Sequence, residues 1–189
     1  MSDTTISILR AIATIAPAIY TGFTFAYTHV AMPPLTTHAP PKLLAKQWFQ
    51  AYEFAPAYVG PMILLGASSN ALLACFTSSS SSIIAKGLYI VAAGAMASVV
   101  PYTMLYMESG VNGAGKCKVQ ELLREEGFLL KAKGKGKVTD WDSASERARR
   151  WAETVDMKVI VQTWARTNAW RYIISGVATV LSAAATVFV

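Results

Sequence analysis

Trp164, Asn168 and Arg171 are spaced four and then three residues apart, which places the three side chains on one face of an α-helix. A guanidinium supplies hydrogen-bond donors to an anionic oxygen, an amide supplies another, and an indole offers a flat wall to an aromatic ligand. A plainer account is also open. Arg171 can snorkel to lipid headgroups while Trp164 anchors the membrane interface. Asn168 weighs against it, because snorkelling needs no amide in the middle of the stripe. His29 is the other chemical candidate, since a neutral imidazole is a suitable base near neutral pH. The alternative for His29 is a ring bonded to a carbonyl or water at the membrane boundary. His38 lies in a proline-rich stretch and is expected to be exposed.

These residues are carried by four long apolar runs, at about 11–32, 55–76, 87–107 and 169–189. Each is close to the roughly 20 residues with which an α-helix crosses a bilayer core. Arg171 is the one fixed charge inside them, and charge at that depth is costly enough to hint at function. The chain has 53% hydrophobic and 15% charged residues over 189 positions, with the excess concentrated in the runs. The expected fold is therefore all-α: an integral membrane four-helix bundle forming one domain over 1–189, with an amphipathic extra-membrane helical insertion at about 108–168. In antiparallel order, the depth of His29 near the end of span one matches the start of span four, so His29 and Arg171 are expected to face one another.

Along the chain, Pro33-Pro34 is expected to stop the first helix, and 43–58 to form a helix leading into span two. The serine run at 78–82 reads as a tight turn. Span three is expected to close at Pro101-Tyr102-Thr103. Residues 119–130 present one apolar helical face, and 131–137 reads as a mobile lysine-rich loop. Ser143 followed by Glu146 is a capping-box signal, from which a helix is expected to run unbroken into span four. Small residues at 92–97 around Gly94 suit helix packing inside the bundle or between copies of a homo-oligomer.

Several function classes are disfavoured. The net charge is +6, but most of the basic residues sit in one loop interleaved with acids, which suits anionic lipid headgroups better than nucleic acid. Cys75 and Cys117 form no CxxC pair, so thiol–disulfide chemistry has no support. No metal is expected, because two histidines, two distant cysteines and no carboxylate inside a span give no ligand set. The run Gly110–Cys117 matches the glycines and lysine of a phosphate-binding loop. It replaces the magnesium-binding hydroxyl by cysteine and lacks the preceding strand, so the nucleotide reading is discarded. Basic residues near the span ends place the two longer loops on the cytosolic side and both termini on the lumenal side of an endomembrane, the endoplasmic reticulum by default. Span one is expected to be retained, being too long for a signal core.

At this point the chain resembles a known family. Ala31-Met32-Pro33-Pro34-Leu35, Trp48 with Tyr52, Pro101-Tyr102-Thr103, and Trp164, Asn168 and Arg171 together resemble the small four-span anthrone oxygenases of fungal polyketide gene clusters. The likeness covers the whole chain in order. Family members often carry a Thr-Asn pair after the Pro-x-Thr segment, where this chain has Glu108-Ser109-Gly110-Val111-Asn112. The resemblance implies oxidation of an anthrone to an anthraquinone by molecular oxygen as co-substrate, with no cofactor. For that chemistry His29 is assigned as base, Asn168 and Arg171 as oxyanion donors, and Trp164, Tyr102 and Tyr106 as the walls that bind the substrate; Tyr102 or Tyr106 is an alternative base. The rival reading is a non-catalytic four-span scaffold or carrier for a pathway.

Overall fold

The computed structural model describes residues 2–77, 83–132 and 134–188. The expected serine turn at 78–82 lies outside them. The elements are α1 (Asp3–Ala26), a π-helical segment (Tyr27–Ala31), α2 (Met32–His38), α3 (Pro41–Phe76), α4 (Ile83–Pro101), a second π-helical segment (Tyr102–Asn112), α5 (Gly113–Leu123), α6 (Glu146–Thr154) and α7 (Met157–Val187). Among the described residues, four helical stretches are long and apolar enough to cross a membrane: Asp3–His38, Pro41–Phe76, Ile83–Glu126 and Met157–Val187. The all-helical four-span reading is borne out.

The spans differ from the sequence reading in their ends. Pro33-Pro34 does not stop the first helix. Both prolines sit in the first turn of α2, where a missing N–H costs little. The π turn just before them closes with the Met32 N–H bonding to Tyr27 O, one residue wider than an α turn. That widening eases the clash a proline ring makes with the carbonyl four residues back, here that of His29. Span three likewise continues past Pro101 through the second π segment into α5. Gly110 departs from helical geometry (φ −100°, ψ −109°), and the helix resumes behind it.

The expected unbroken helix from 143 into span four is also corrected. Val155 is extended (φ −128°, ψ 158°) and separates α6 from α7. The cap is Ser145, whose hydroxyl accepts from the Ala148 N–H at 3.2 Å. Ser143 is occupied elsewhere, as described below. The lysine-rich loop is held at its base, where Lys131 N–H bonds Asp140 O and Asp142 N–H bonds Lys131 O, both at 2.9 Å.

The chain divides into two compact units. The first comprises Met1–Phe25, Ala57–Val100 and Trp170–Val189. Its interior is built from small residues, with Ala13, Ala85, Ala92, Ala178 and Ala185 fully buried around Tyr20, Tyr89 and Met96. Small side chains let helix backbones approach closely where lipid gives no hydrophobic drive for association. Polar links add to this: Thr21 to Ser175 at 2.7 Å, and the Asn70 amide to the Ala13 and Gly66 carbonyls at 3.1 and 2.8 Å. A Cβ at Gly66 would come within 2.9 Å of the Pro17 ring, so that position needs glycine.

The second unit comprises Ala26–Pro56 and Pro101–Ala169. It has one larger core with Met32, Leu44, Trp48, Met107, Val119, Met157, Ile160 and Trp164 at its centre. Both π-helical segments belong to it, a helix variant that recurs at functional sites.

Candidate functional site

Within the second unit, α3, the second π segment, α5 and the stretch before α6 bring four polar side chains onto one carboxylate. Glu108 is 6% exposed and Lys116, two turns on, is 0% exposed. Lys116 Nζ lies 2.5 Å from Glu108 Oε1. Tyr52 Oη donates to the same carboxylate, 2.9 and 2.8 Å from its two oxygens. Asn112 Nδ2 donates to Oε2 at 2.9 Å, and Ser143 Oγ to Oε1 at 2.9 Å. A buried ion pair repays its desolvation only when further hydrogen bonds complete it, and these three complete it. Gly110 is where the chain bends between Glu108 and Lys116, so the broken helix and the ion pair are one construction.

An aromatic cluster adjoins this network. The Tyr52 ring stacks on Trp48 with centroids 5.4 Å apart and planes 8° apart. Trp48 meets Trp164 edge-on at 6.3 Å, and Trp164 meets Tyr27 edge-on at 6.0 Å. Lys116 Nζ stands 5.6 Å from the Tyr52 ring centroid. Each such aromatic contact adds about 0.5–1.5 kcal/mol beyond area burial. Gly115 makes room for the Trp48 indole, since any Cβ there would overlap the ring.

The residues singled out from sequence fall as follows. Trp164 is buried in the aromatic cluster. Asn168, 2% exposed, donates its amide to Thr28 Oγ1 at 3.0 Å. Tyr102 donates to the Thr167 carbonyl at 2.9 Å and stacks on Tyr106 at 5.5 Å; the Tyr106 ring is largely exposed. His29 sits in the first π segment and is exposed, as is His38. Arg171 follows Asn168 by one turn of α7 and belongs to the first unit, where its Nε donates to the buried Tyr20 Oη at 2.7 Å. Among the described residues, no group of three or more His, Cys, Asp or Glu side chains is placed to hold a metal ion.

Sequence reasoning missed Glu108 and Lys116. From sequence, Glu108 reads as the first residue of a polar insertion, and Lys116 as part of a discarded phosphate-loop match. One signal was present: a lone acid directly abutting the apolar run 87–107, with a base eight positions on. Ser143 has the spacing of a helix cap, whereas its hydroxyl faces Glu108.

Chemically, the second unit offers flat aromatic surface beside a closed, charged hydrogen-bond network. No curated protein and no solved structure matches the chain. A model of the anthrone oxygenase family matches residues 48–181, a stretch that opens on Trp48 and takes in Tyr52, Glu108, Lys116, Trp164, Asn168 and Arg171. With that match extending over well more than half of its length, the chain belongs to the anthrone oxygenase family.

Proposed function

We propose that the protein is a membrane oxygenase that converts a polyketide anthrone to the corresponding anthraquinone with molecular oxygen and no cofactor. The observation that carries this reading is the family match over 48–181. The buried aromatic cluster around Trp48 and Trp164 supports a planar ligand.

The reaction needs little from the protein. The anthrone methylene is acidic, because its loss of a proton leaves a fully aromatic phenolate-like anion. That anion gives one electron to oxygen, and the resulting radical and superoxide combine at carbon. Protonation gives a hydroperoxide; loss of the second methylene proton then breaks the O–O bond and expels water, leaving the new ketone. One oxygen molecule is consumed, with one atom in the quinone and one in water. The chain must supply a base, donors for the developing oxyanion, and an apolar place that admits oxygen. In this reading His29 is the base, and Asn168 and Arg171, one turn apart on α7, are the donors. Trp164, Tyr102 and Tyr106 bind the ring system. The membrane is proposed to be the endoplasmic reticulum, with the lysine-rich loop cytosolic.

Oxygen uptake by the detergent-solubilised protein with a simple hydroxylated anthrone tests the proposal, against a no-protein control for spontaneous oxidation. The expected result is acceleration that survives chelator and falls about 100-fold in Arg171→Leu, the scale seen when an oxyanion donor is removed. Uptake at the control rate from folded protein would instead favour a scaffold or carrier.

A further inference from the structure

A phenol has a single proton to donate, and Tyr52 commits it to Glu108. An ionised carboxylate only accepts, and the Lys116 ammonium, the Asn112 amide and the Ser143 hydroxyl hold Glu108 in that form. Glu108 and Lys116 are closed off from solvent, so water does not compete for these bonds. Tyr52 itself is only half-buried. Of the two half-buried members, Tyr52 and Ser143, Tyr52 carries the aromatic ring, and with its proton committed its oxygen can meet a ligand only as an acceptor.

Two buried polar atoms beside the network carry no hydrogen-bond partner. One is Nε1 of Trp48, a donor on the ring that stacks against Tyr52. The other is Oδ1 of Asn112, an acceptor whose own nitrogen serves Glu108. Buried polar groups are rarely left unpaired, and each instance asks for an explanation. A guest with polar groups on a flat ring supplies one.

We propose that Tyr52 is a specificity-determining residue, its oxygen accepting a hydrogen bond from a hydroxyl on the edge of a flat aromatic ligand. Glu108 and Lys116 are the positioning pair that keep the Tyr52 proton turned inward. The proposal rests on the anthrone reading for the ligand's ring system and takes nothing else from it. A methyl ether in place of the hydroxyl sets two acceptors against each other, and sites built to bond a hydroxyl reject analogues that lack it.

The test is binding of 2-hydroxyanthraquinone and 2-methoxyanthraquinone to the full chain in detergent, read by quenching of tryptophan fluorescence at mildly acidic pH, where the hydroxyl keeps its proton. Both probes are already oxidised, so no turnover intervenes. The wild type is expected to bind the hydroxy compound at least about tenfold tighter, and Tyr52→Phe to bind the two within roughly twofold. In Glu108→Gln the carboxamide can donate to Tyr52, letting the phenol proton turn outward, so the preference shifts towards the ether. Glu108→Gln combined with Lys116→Gln gives the same readout should the lone ammonium prevent folding. A Tyr52→Phe protein that keeps the tenfold preference overturns the proposal, as does a wild type that binds both probes equally or neither. Oxygen uptake on the same preparations separates the two ideas. A hydroxyl preference without anthrone-dependent uptake removes the oxygenase reading and leaves the role of Tyr52 standing.

Discussion

Glu108 and Lys116 are the two residues around which the polar network of the second unit is built. Removing one partner of a buried ion pair is far worse than never having had it, because the remaining charge stays desolvated. Lys116→Met is expected to cost about 3–5 kcal/mol, a fall in thermal midpoint of roughly 6–20 °C for a chain of this size. Combining it with Glu108→Gln removes the stranded charge and is expected to recover most of the loss. Thermal unfolding in detergent, followed by near-ultraviolet circular dichroism of the tryptophans, measures both. A single variant as unstable as the double would mean the pair contributes only through packing. None of this was legible from residue types alone. Glu108 and Lys116 look like ordinary members of a charged loop, and what distinguishes them is burial, which depends on Tyr52 and Ser143 from distant segments.

At the scale of elements, the sequence is read well where a local rule acts alone and poorly where two rules compete. The apolar periods locate α1, α3, α4 and α7 because lipid-facing helices need only length and hydropathy. Pro33-Pro34 was read as a stop, but the same residues open α2, since a preceding π turn absorbs the steric conflict. Ser143 and Ser145 both have the chemistry of a helix cap, and the nearby carboxylate network decided between them. Ser145→Ala is accordingly expected to lose about 1 kcal/mol through the α6 cap. Glycines give a sharper contrast. Gly115→Ala forces its methyl into the Trp48 ring and is expected to cost about 1–3 kcal/mol with a changed tryptophan spectrum. Gly94→Ala meets nothing within 4 Å and is expected to be near neutral or slightly stabilising through helix propensity.

For the whole molecule, four helices long and apolar enough to cross a membrane predict, if all four cross, that the two ends of the chain lie on one side whatever the orientation. The distribution of basic residues further predicts that this side is lumenal. Epitope tags at the two ends should both resist protease in sealed microsomes, while a tag inserted after Lys135 should be cut. Protection of the inserted tag and loss of the end tags would reverse the orientation; a split result between the two ends would break the four-span count. The count was visible in the sequence because each span is a contiguous run. The network at Glu108 was not, because residues 52, 108, 112, 116 and 143 come together only after the chain has folded back on itself.

That last separation carries a cost during synthesis. Ser143 leaves the ribosome 35 residues after Glu108, so at ordinary elongation rates the carboxylate waits about two to seven seconds for its final donor. Tyr52 is already made, and Lys116 follows Glu108 within eight residues, so the charge is neutralised early and the last hydrogen bond closes late. A nascent chain arrested when residue 116 has emerged and residue 143 has not would therefore hold an acid and a base paired at the edge of the translocon, with the segment that seals them still inside the exit tunnel.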